Sequence, residues 1–342
     1  MKYIECAGTP EEMGLQYGEQ AKDEILMTLG GSFNAHFPET IKKHAERIKF
    51  IGENLWHNFP ETHQEIAGIA KGCGVSFESI LLLNHWDTFG EGPLEGCTPV
   101  GLLTENDGVI IAKNNDGHPS QREQYPFVIR KSVPERGFAM LQITYAGWLS
   151  GLDAMNSAGL ANTHGSVGSI FDKSGKRVDI RLAVYALMRK CETVRELYRG
   201  LNELSLTGKG FNIIMGDNDA SRMIVEAAVP LIASRKVENS FFYTTNHFLT
   251  PPLKEADMRT PDGKRISTYR LGYLDWITKT KSPHDINGIK KVLSSHEPWA
   301  PCRHAGAHVS ETFWSQICIP SQCKMMIAHG APCENEYKEY NL

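Results

Sequence analysis

Gly96-Cys97-Thr98, followed by Val109-Ile110-Ile111-Ala112 and Asn114-Asn115-Asp116, decides how this chain is read. Upstream the sequence patterns as helices; downstream it patterns as short strands. A cysteine at that boundary, glycine before it and threonine after it, is placed for chemistry on its own backbone. Glycine has no side chain, so the thiol has open access to the carbonyl before it. Attack there, then hydrolysis, would cut between Gly96 and Cys97 and leave the cysteine with a free α-amine. An α-amine titrates near ~7.7–8.0, so at neutral pH a useful fraction can act as base for its own thiol.

Working outward, Thr9-Pro10-Glu11-Glu12 supplies a cap, a proline in the first turn and a glutamate three residues after the cap, predicting a helix to about residue 28. Further helices are predicted over 39–54, 61–71 and from 76 onward. Strands are predicted over 108–113, 126–132 and 138–145, then helices over 179–190 and 193–204, the latter opened by the capping box Thr193-Val194-Arg195-Glu196. Strands over 210–216, 222–228 and 241–245, helices over 267–278 and 282–294, and strands over 315–319 and 324–329 complete the pattern. Apolar runs such as Asn212-Ile213-Ile214-Met215 fit strands covered on both faces. The order of helices, strands, helices, strands predicts a layered α/β sandwich.

The totals narrow the function. With 342 residues, 41% hydrophobic and 22% charged, the chain is composed as a globular protein with a sizeable core. A formal net charge of -4 leaves no basic face for nucleic acid. No apolar run approaches ~18 residues, so no membrane partner is expected. Met1-Lys2-Tyr3-Ile4-Glu5-Cys6 lacks the apolar core of a signal peptide, and the eight cysteines form no CxxC. Free thiols in a reducing, cytoplasmic setting are the expectation. His304 and His308 have the i, i+4 spacing of a metal pair, but Gly306 between them disfavours a helix. They are read as loop histidines near the site mouth, and neither metal nor cofactor is expected.

Several stretches taken together resemble a known family. They are Gly8-Thr9-Pro10-Glu11-Glu12-Met13-Gly14, Glu65-Ile66-Ala67-Gly68-Ile69-Ala70-Lys71-Gly72-Cys73-Gly74 and Leu83-Asn84, then Gly96-Cys97-Thr98 and Asn114-Asn115-Asp116. Met155-Asn156-Ser157-Ala158-Gly159-Leu160, Thr245-Asn246-His247-Phe248 and Gly330-Ala331-Pro332 follow in order. The chain thereby resembles the acyl-CoA:6-aminopenicillanic acid acyltransferases and, more distantly, the bile-salt and penicillin V hydrolases. The resemblance spans nearly the whole chain. It implies an autoprocessing N-terminal-nucleophile enzyme with a four-layer αββα fold. Residues 1–96 would be a helical segment, released or retained after autocleavage, and residues 97–342 the catalytic chain, the two forming one domain.

The resemblance also assigns roles. Cys97 is the nucleophile, where the ordinary alternative is a buried structural thiol. Asp116 orients the Cys97 α-amine, although Asn-Asp-Gly is also strong turn chemistry. Asn246 donates to the tetrahedral oxyanion, the alternative being a loop cap. His247 is read as structural, because successive strand residues face opposite ways. Lys113 stands where the bile-salt relatives carry an arginine, whose forked contacts a lysine cannot copy. Arg270 resembles an arginine that supports the nucleophile, and is equally compatible with a solvated helix position. Asn156 and Tyr145 are assigned to the pocket, Asn156 being equally a hairpin residue. The second oxyanion donor is open: Thr163-His164-Gly165-Ser166 has no asparagine, leaving His164, Ser166 or a backbone N–H.

The expected reaction is transfer or hydrolysis of the acyl group of a small N-acyl amide, or of an acyl-CoA-type substrate, through a Cys97 thioester. Tyr145, Trp148 and Phe248 are taken as walls for an apolar acyl group. The partners would be that substrate and the two chains of the protein's own precursor, with a homo-oligomer left open. The alternatives are a non-catalytic relative that binds a small molecule, and a redox or metal protein using Cys302, Cys318, Cys323 and Cys333.

Overall fold

The computed structural model describes residues 1–31, 36–85, 96–169, 177–306 and 310–342. Two sheets face one another and helices cover the outer side of each. The first sheet runs β1 (Lys2–Gly8), β4 (Phe127–Pro134), β5 (Met140–Tyr145), β6 (Ala154–Asn156), β7 (Ala161–Val167), β10 (Gly210–Gly216), β11 (Arg222–Ala228) and β12 (Leu231–Arg235). β1 pairs with β4 in parallel and the other pairs are antiparallel. The second sheet, antiparallel throughout, runs β13 (Phe241–Tyr243), β2 (Thr98–Thr104), β3 (Gly108–Gly117), β14 (Glu311–Ile319), β15 (Lys324–Ala328) and β16 (Lys338–Asn341). β8 (Val178–Asp179) and β9 (Leu206–Thr207) form a short parallel pair.

Alternation along β3 shows why the sheets stack. Val109 and Ile111 lie in the core between the sheets with Ile143, Ile214 and Trp314. Ile110 and Ala112 lie under the helices Pro261–Thr280 and Ile286–Leu293, with Leu274 and Leu293. The outer face of the first sheet packs on the helices Pro10–Gln20, Ala45–Asn58, Pro60–Cys73 and Ile180–Met188 through Met13, Ile51, Ile69, Leu182 and Val225. This is the expected αββα order.

Chain ahead of Cys97 therefore supplies both an edge strand and most of one helical layer. The helices Pro10–Gln20 and Pro60–Cys73 meet backbone to backbone. A Cβ on Gly14 would sit 2.1 Å from the Glu65 carbonyl oxygen, and one on Gly68 would sit 2.2 Å from that of Glu11.

Several boundaries differ from the sequence reading. The helix expected to residue 28 is two, Pro10–Gln20 and Lys22–Gly30, parted at Ala21. No predicted strand range covers β1, β2, β6, β7, β8, β9, β12 or β16; β2 hides because Pro99 and Gly101 are poor strand formers. The helix expected from 267 begins at Pro261, capped by Thr260, whose hydroxyl accepts from the Gly263 N–H. The helix expected from 282 begins at Ile286, and its cap is Asp285 rather than the Ser-Pro pair. β13 ends at Tyr243, so Asn246 lies in the loop after it.

Candidate active site

β2 and β3 form a hairpin in which Thr98 pairs with Asn114, and the ladder continues outward as the Gly96 N–H donates to the Asp116 carbonyl at 3.0 Å. That register sets Cys97 opposite Asn115. The Cys97 thiol is fully buried and donates to Asn115 Oδ1 at 3.3 Å. Asn115 Nδ2 is buried and makes no hydrogen bond, which leaves an amide donor beside the sulfur. Sequence reasoning gave Asn115 no role.

Asp116 lies on the opposite face of β3, by strand alternation. Its Oδ1 accepts from Thr312 Oγ1 at 2.8 Å, and Arg303 Nε stands 3.5 Å from Oδ2. A Cβ on Gly96 would meet Asp116 Cβ at 3.8 Å, so the carboxyl borders the expected cleavage point. Burial pushes the Asp116 carboxyl up, and Arg303 and Arg270 only partly offset it. Arg303 is a second residue that the sequence reading missed.

Arg270 is buried, which rules out the solvated helix position. Its Nη1 donates to the Cys97 carbonyl at 2.5 Å and to Thr98 Oγ1 at 2.8 Å, and its Nη2 donates to Asn246 Oδ1 at 2.5 Å. One planar guanidinium thus spans the cysteine and the asparagine. Burial and the neighbouring charge of Arg303 push Arg270 down to about 9. A guanidinium only donates, so the Asn246 oxygen must face it and the NH₂ must face away. That Nδ2 donates to the Ser166 carbonyl at 2.9 Å, and the Asn246 N–H donates to Ser267 Oγ at 2.8 Å. Gly165 makes room here: a Cβ would lie 3.3 Å from Asn246 Nδ2 and 3.1 Å from the Thr245 carbonyl. His247 turns to Ser267 Oγ at 2.7 Å, and burial pushes its ring down to about 4.

Lys113 faces the same side of β3 as Asn115. Its Nζ donates to Asp153 Oδ2 at 2.7 Å in a buried ion pair, with the Trp314 ring 5.7 Å away. Asp153 carries a positive φ of 59 and also accepts from Thr163 Oγ1 at 2.5 Å. His164 Nδ1 lies 3.2 Å from Asp153 Oδ2. Burial pushes the Asp153 carboxyl up, but His164 and Lys113 outweigh it and hold it below the usual carboxylate range. Thus Lys113 serves a buried polar cluster, and Ser166 meets Asn246 through its backbone.

The remaining candidates separate. Asn156 spends its amide on the hairpin and the following helix end: Nδ2 donates to the Met188 and Cys191 carbonyls, and Oδ1 accepts from the Ala158 and Leu160 N–H groups. That assigns it to the hairpin rather than a pocket wall. Tyr145 packs at tilted and edge-on angles among Phe127, Trp148 and Trp314, with Trp148 at 5.1 Å. Phe248 packs elsewhere, with Val167, Leu253 and Ala256, so the expected three-aromatic wall is split. His308 lies outside the described residues. His304 gathers instead with His296, Cys302 and Cys333, a set that could hold a metal ion. All eight cysteines are free, and among the described residues no helix is long and apolar enough to cross a membrane.

A family model described as acyl-coenzyme A:6-aminopenicillanic acid acyl-transferase matches residues 103–332, a stretch that holds Lys113, Asp116, Asn246 and Arg270 and begins beyond Cys97. The 40 kDa form of acyl-coenzyme A:6-aminopenicillanic-acid-acyltransferase from Emericella nidulans is 29% identical over 167 residues, 47% of this chain and 46% of that protein. The match thus spans about half the length of each. Among solved structures, a mutant conjugated bile acid hydrolase from Clostridium perfringens aligns with a TM-score of 0.45 at 12% identity, covering 72% of this chain and 97% of that one. The penicillin V acylase from Agrobacterium tumefaciens aligns with a TM-score of 0.43 at 17% identity, covering 68% and 83%.

Proposed function

The chain belongs to the acyl-coenzyme A:6-aminopenicillanic acid acyl-transferase family, and from that premise we propose that it is an autoprocessing cysteine enzyme acting on small N-acyl amides or acyl thioesters. The observation that carries the reading is the Arg270 guanidinium, which joins the Cys97 carbonyl to the Asn246 side chain in one buried unit.

In the uncut chain the Cys97 sulfur attacks the Gly96 carbonyl carbon. The acyl group moves from nitrogen to sulfur, the C–N bond breaks, and the nitrogen leaves as the α-amine of Cys97 with the thiol proton. Water then hydrolyses the thioester, leaving a Gly96 carboxylate and a free thiol. Asp116, buried beside Gly96 with an oxygen that accepts no hydrogen bond, is the partner for the new ammonium. In turnover the α-amine takes the thiol proton, the sulfur attacks the substrate carbonyl, and the amine returns the proton to the leaving group. Asn246, its oxygen pinned by Arg270 and one N–H held by the Ser166 carbonyl, offers its other N–H to the oxyanion. Asn115 Nδ2 is the second donor, the position that the sequence reading left open. Water or an amine then resolves the acyl-thioester.

Residues 1–96 stay bound after cutting. They supply β1 and the helices whose Met13, Ile51 and Ile69 cover the first sheet, and their loss would expose that face to water.

The test is intact mass. Wild-type protein should give two fragments on denaturation, the larger beginning at Cys97, and one species on native size exclusion; Cys97→Ala should remain uncut. An uncut wild type that still cleaves amides at full rate would overturn the reading. A panel of N-acyl amino acids, acylated amines, penicillins and bile-salt conjugates, scored by amine release, then tests the substrate class. Activity confined to long peptides would refute it.

A further inference from the structure

Outside the catalytic residues, four side chains from two separate segments converge on one point. Among the described residues they are the single such group of metal-binding type. His296, Cys302 and His304 lie on the loop between the helix Ile286–Leu293 and β14, and Cys333 sits in the turn after β15. His296 Nε2 stands 3.0 Å from His304 Nε2, and Cys302 Sγ stands 3.5 Å from Cys333 Sγ. His304 Nε2 lies 3.2 Å from Cys333 Sγ and 3.9 Å from Cys302 Sγ, and all four ligand atoms fall within 4.8 Å of one another.

We propose that His296, Cys302, His304 and Cys333 form a structural Cys₂His₂ site for zinc. Bond lengths of about 2.3 Å to sulfur and about 2.0–2.1 Å to nitrogen at tetrahedral angles give ligand-to-ligand edges of roughly 3.3–3.8 Å. Four of the six edges, at 3.0, 3.2, 3.5 and 3.9 Å, straddle that range, and the other two stay within 4.8 Å. Two soft sulfurs and two imidazole nitrogens are the donor set of a closed zinc site. Binding releases the two thiol protons to solvent, and the two thiolates neutralise the ion. Outside the set, Glu334 Oε1 stands 3.6 Å from His304 Nδ1. The carboxylate stands on the Nδ1 side of the ring, just beyond hydrogen-bond distance, where a small approach would let it accept from Nδ1–H and leave the Nε2 lone pair facing inward, the usual outer partner of a metal-bound histidine.

The site has a consequence for the catalytic centre. Arg303, between two of the ligands, is the residue whose Nε faces Asp116. Zinc would tie the loop that carries Arg303 to the turn after β15. Arg303 is thereby a positioning residue, held from outside the site. Spacing gave no warning, because His296, Cys302, His304 and Cys333 form no CxxC and no helical pair.

The test uses full-length protein purified under reducing conditions without a polyhistidine tag. Elemental analysis after dialysis should find about one zinc per chain, as a closed four-ligand site holds a single ion. Cobalt substitution should give thiolate-to-cobalt charge-transfer bands together with the visible bands of a tetrahedral centre. Cys333→Ser and His296→Ala change exposed residues and should fold yet lose the ion, whereas Cys97→Ala should keep it. Glu334→Gln should bind zinc with an affinity lower by about 10–100-fold. Reduced protein that takes up neither zinc nor cobalt, variants that keep wild-type zinc, or a Cys302–Cys333 disulfide in protein alkylated at lysis would each overturn the proposal.

Discussion

Arg270 is where residue chemistry and site geometry meet. Its forked donors reach two acceptors that a lysine could not reach together. Asn246→Ala is expected to keep the fold and lose turnover by ~10²–10³, the cost of one oxyanion donor. Arg270→Lys should lose a similar factor, because the Asn246 oxygen then loses its guanidinium donor and the amide is held on the Ser166 side alone. The double variant should lose little more than either alone, since the two act as a unit. Steady-state rates on any accepted amide measure this, and full turnover by Asn246→Ala would remove it from the site. The sequence motifs single out Cys97, Asp116 and Asn246 as candidates. Asn115 was legible in principle: a hairpin turning over 105–107 pairs Thr104 with Gly108 and, carried outward, Cys97 with Asn115. It was missed because Pro99 and Gly101 conceal β2 as a strand. Arg303 carried no local signal, since its partner Asp116 is far away in sequence.

Two helices ahead of Cys97 turn motif residues into packing. Gly14 and Gly18 face Gly68 and Gly72 so closely that a Cβ on any of the four would fall within 2.1–2.4 Å of a backbone oxygen across the contact. Gly68→Ala should therefore destabilise by ~1–3 kcal/mol, because neither helix backbone can yield without displacing the other. Gly272→Ala is the contrast, with nothing within 4 Å of its added Cβ, and should stabilise by about 0.5–1 kcal/mol. Urea denaturation of both variants decides it, and equal midpoints would count against the close contact. The same helix pair is anchored from below. Glu65 is buried, forms an ion pair with Arg130, and both its oxygens accept from Tyr185 OH at 2.8 Å. Glu65→Ala leaves the Arg130 charge buried without its carboxylate and should cost ~3–5 kcal/mol in the same assay.

At the scale of the whole molecule, burial sets the response to pH. His85 is buried with Nδ1 on the Leu81 carbonyl, and burial pushes its ring down to about 4; His247 is likewise pushed down to about 4. An unfolded histidine titrates near ~6.5, so protons bind the unfolded chain first as pH falls. The stability held above pH ~6.5 should be lost progressively as pH drops toward about 4, and thermal melts across that window should show a falling midpoint. Replacing both histidines with glutamine should flatten the slope; an unchanged slope would mean that other groups set it. What the sequence determined by itself was local and periodic. Cap-and-proline signals opened the helix Pro10–Gln20, apolar runs marked β10 and β11, and the Gly96-Cys97 junction singled out a candidate cysteine, because each depends on neighbours within a few residues. Only the tertiary structure decided that Arg270 reaches across to Cys97 and Asn246, and that His296, Cys302, His304 and Cys333 meet. Those contacts join residues from different elements. Their partners are chosen by sheet stacking and loop closure, which no local window of sequence encodes.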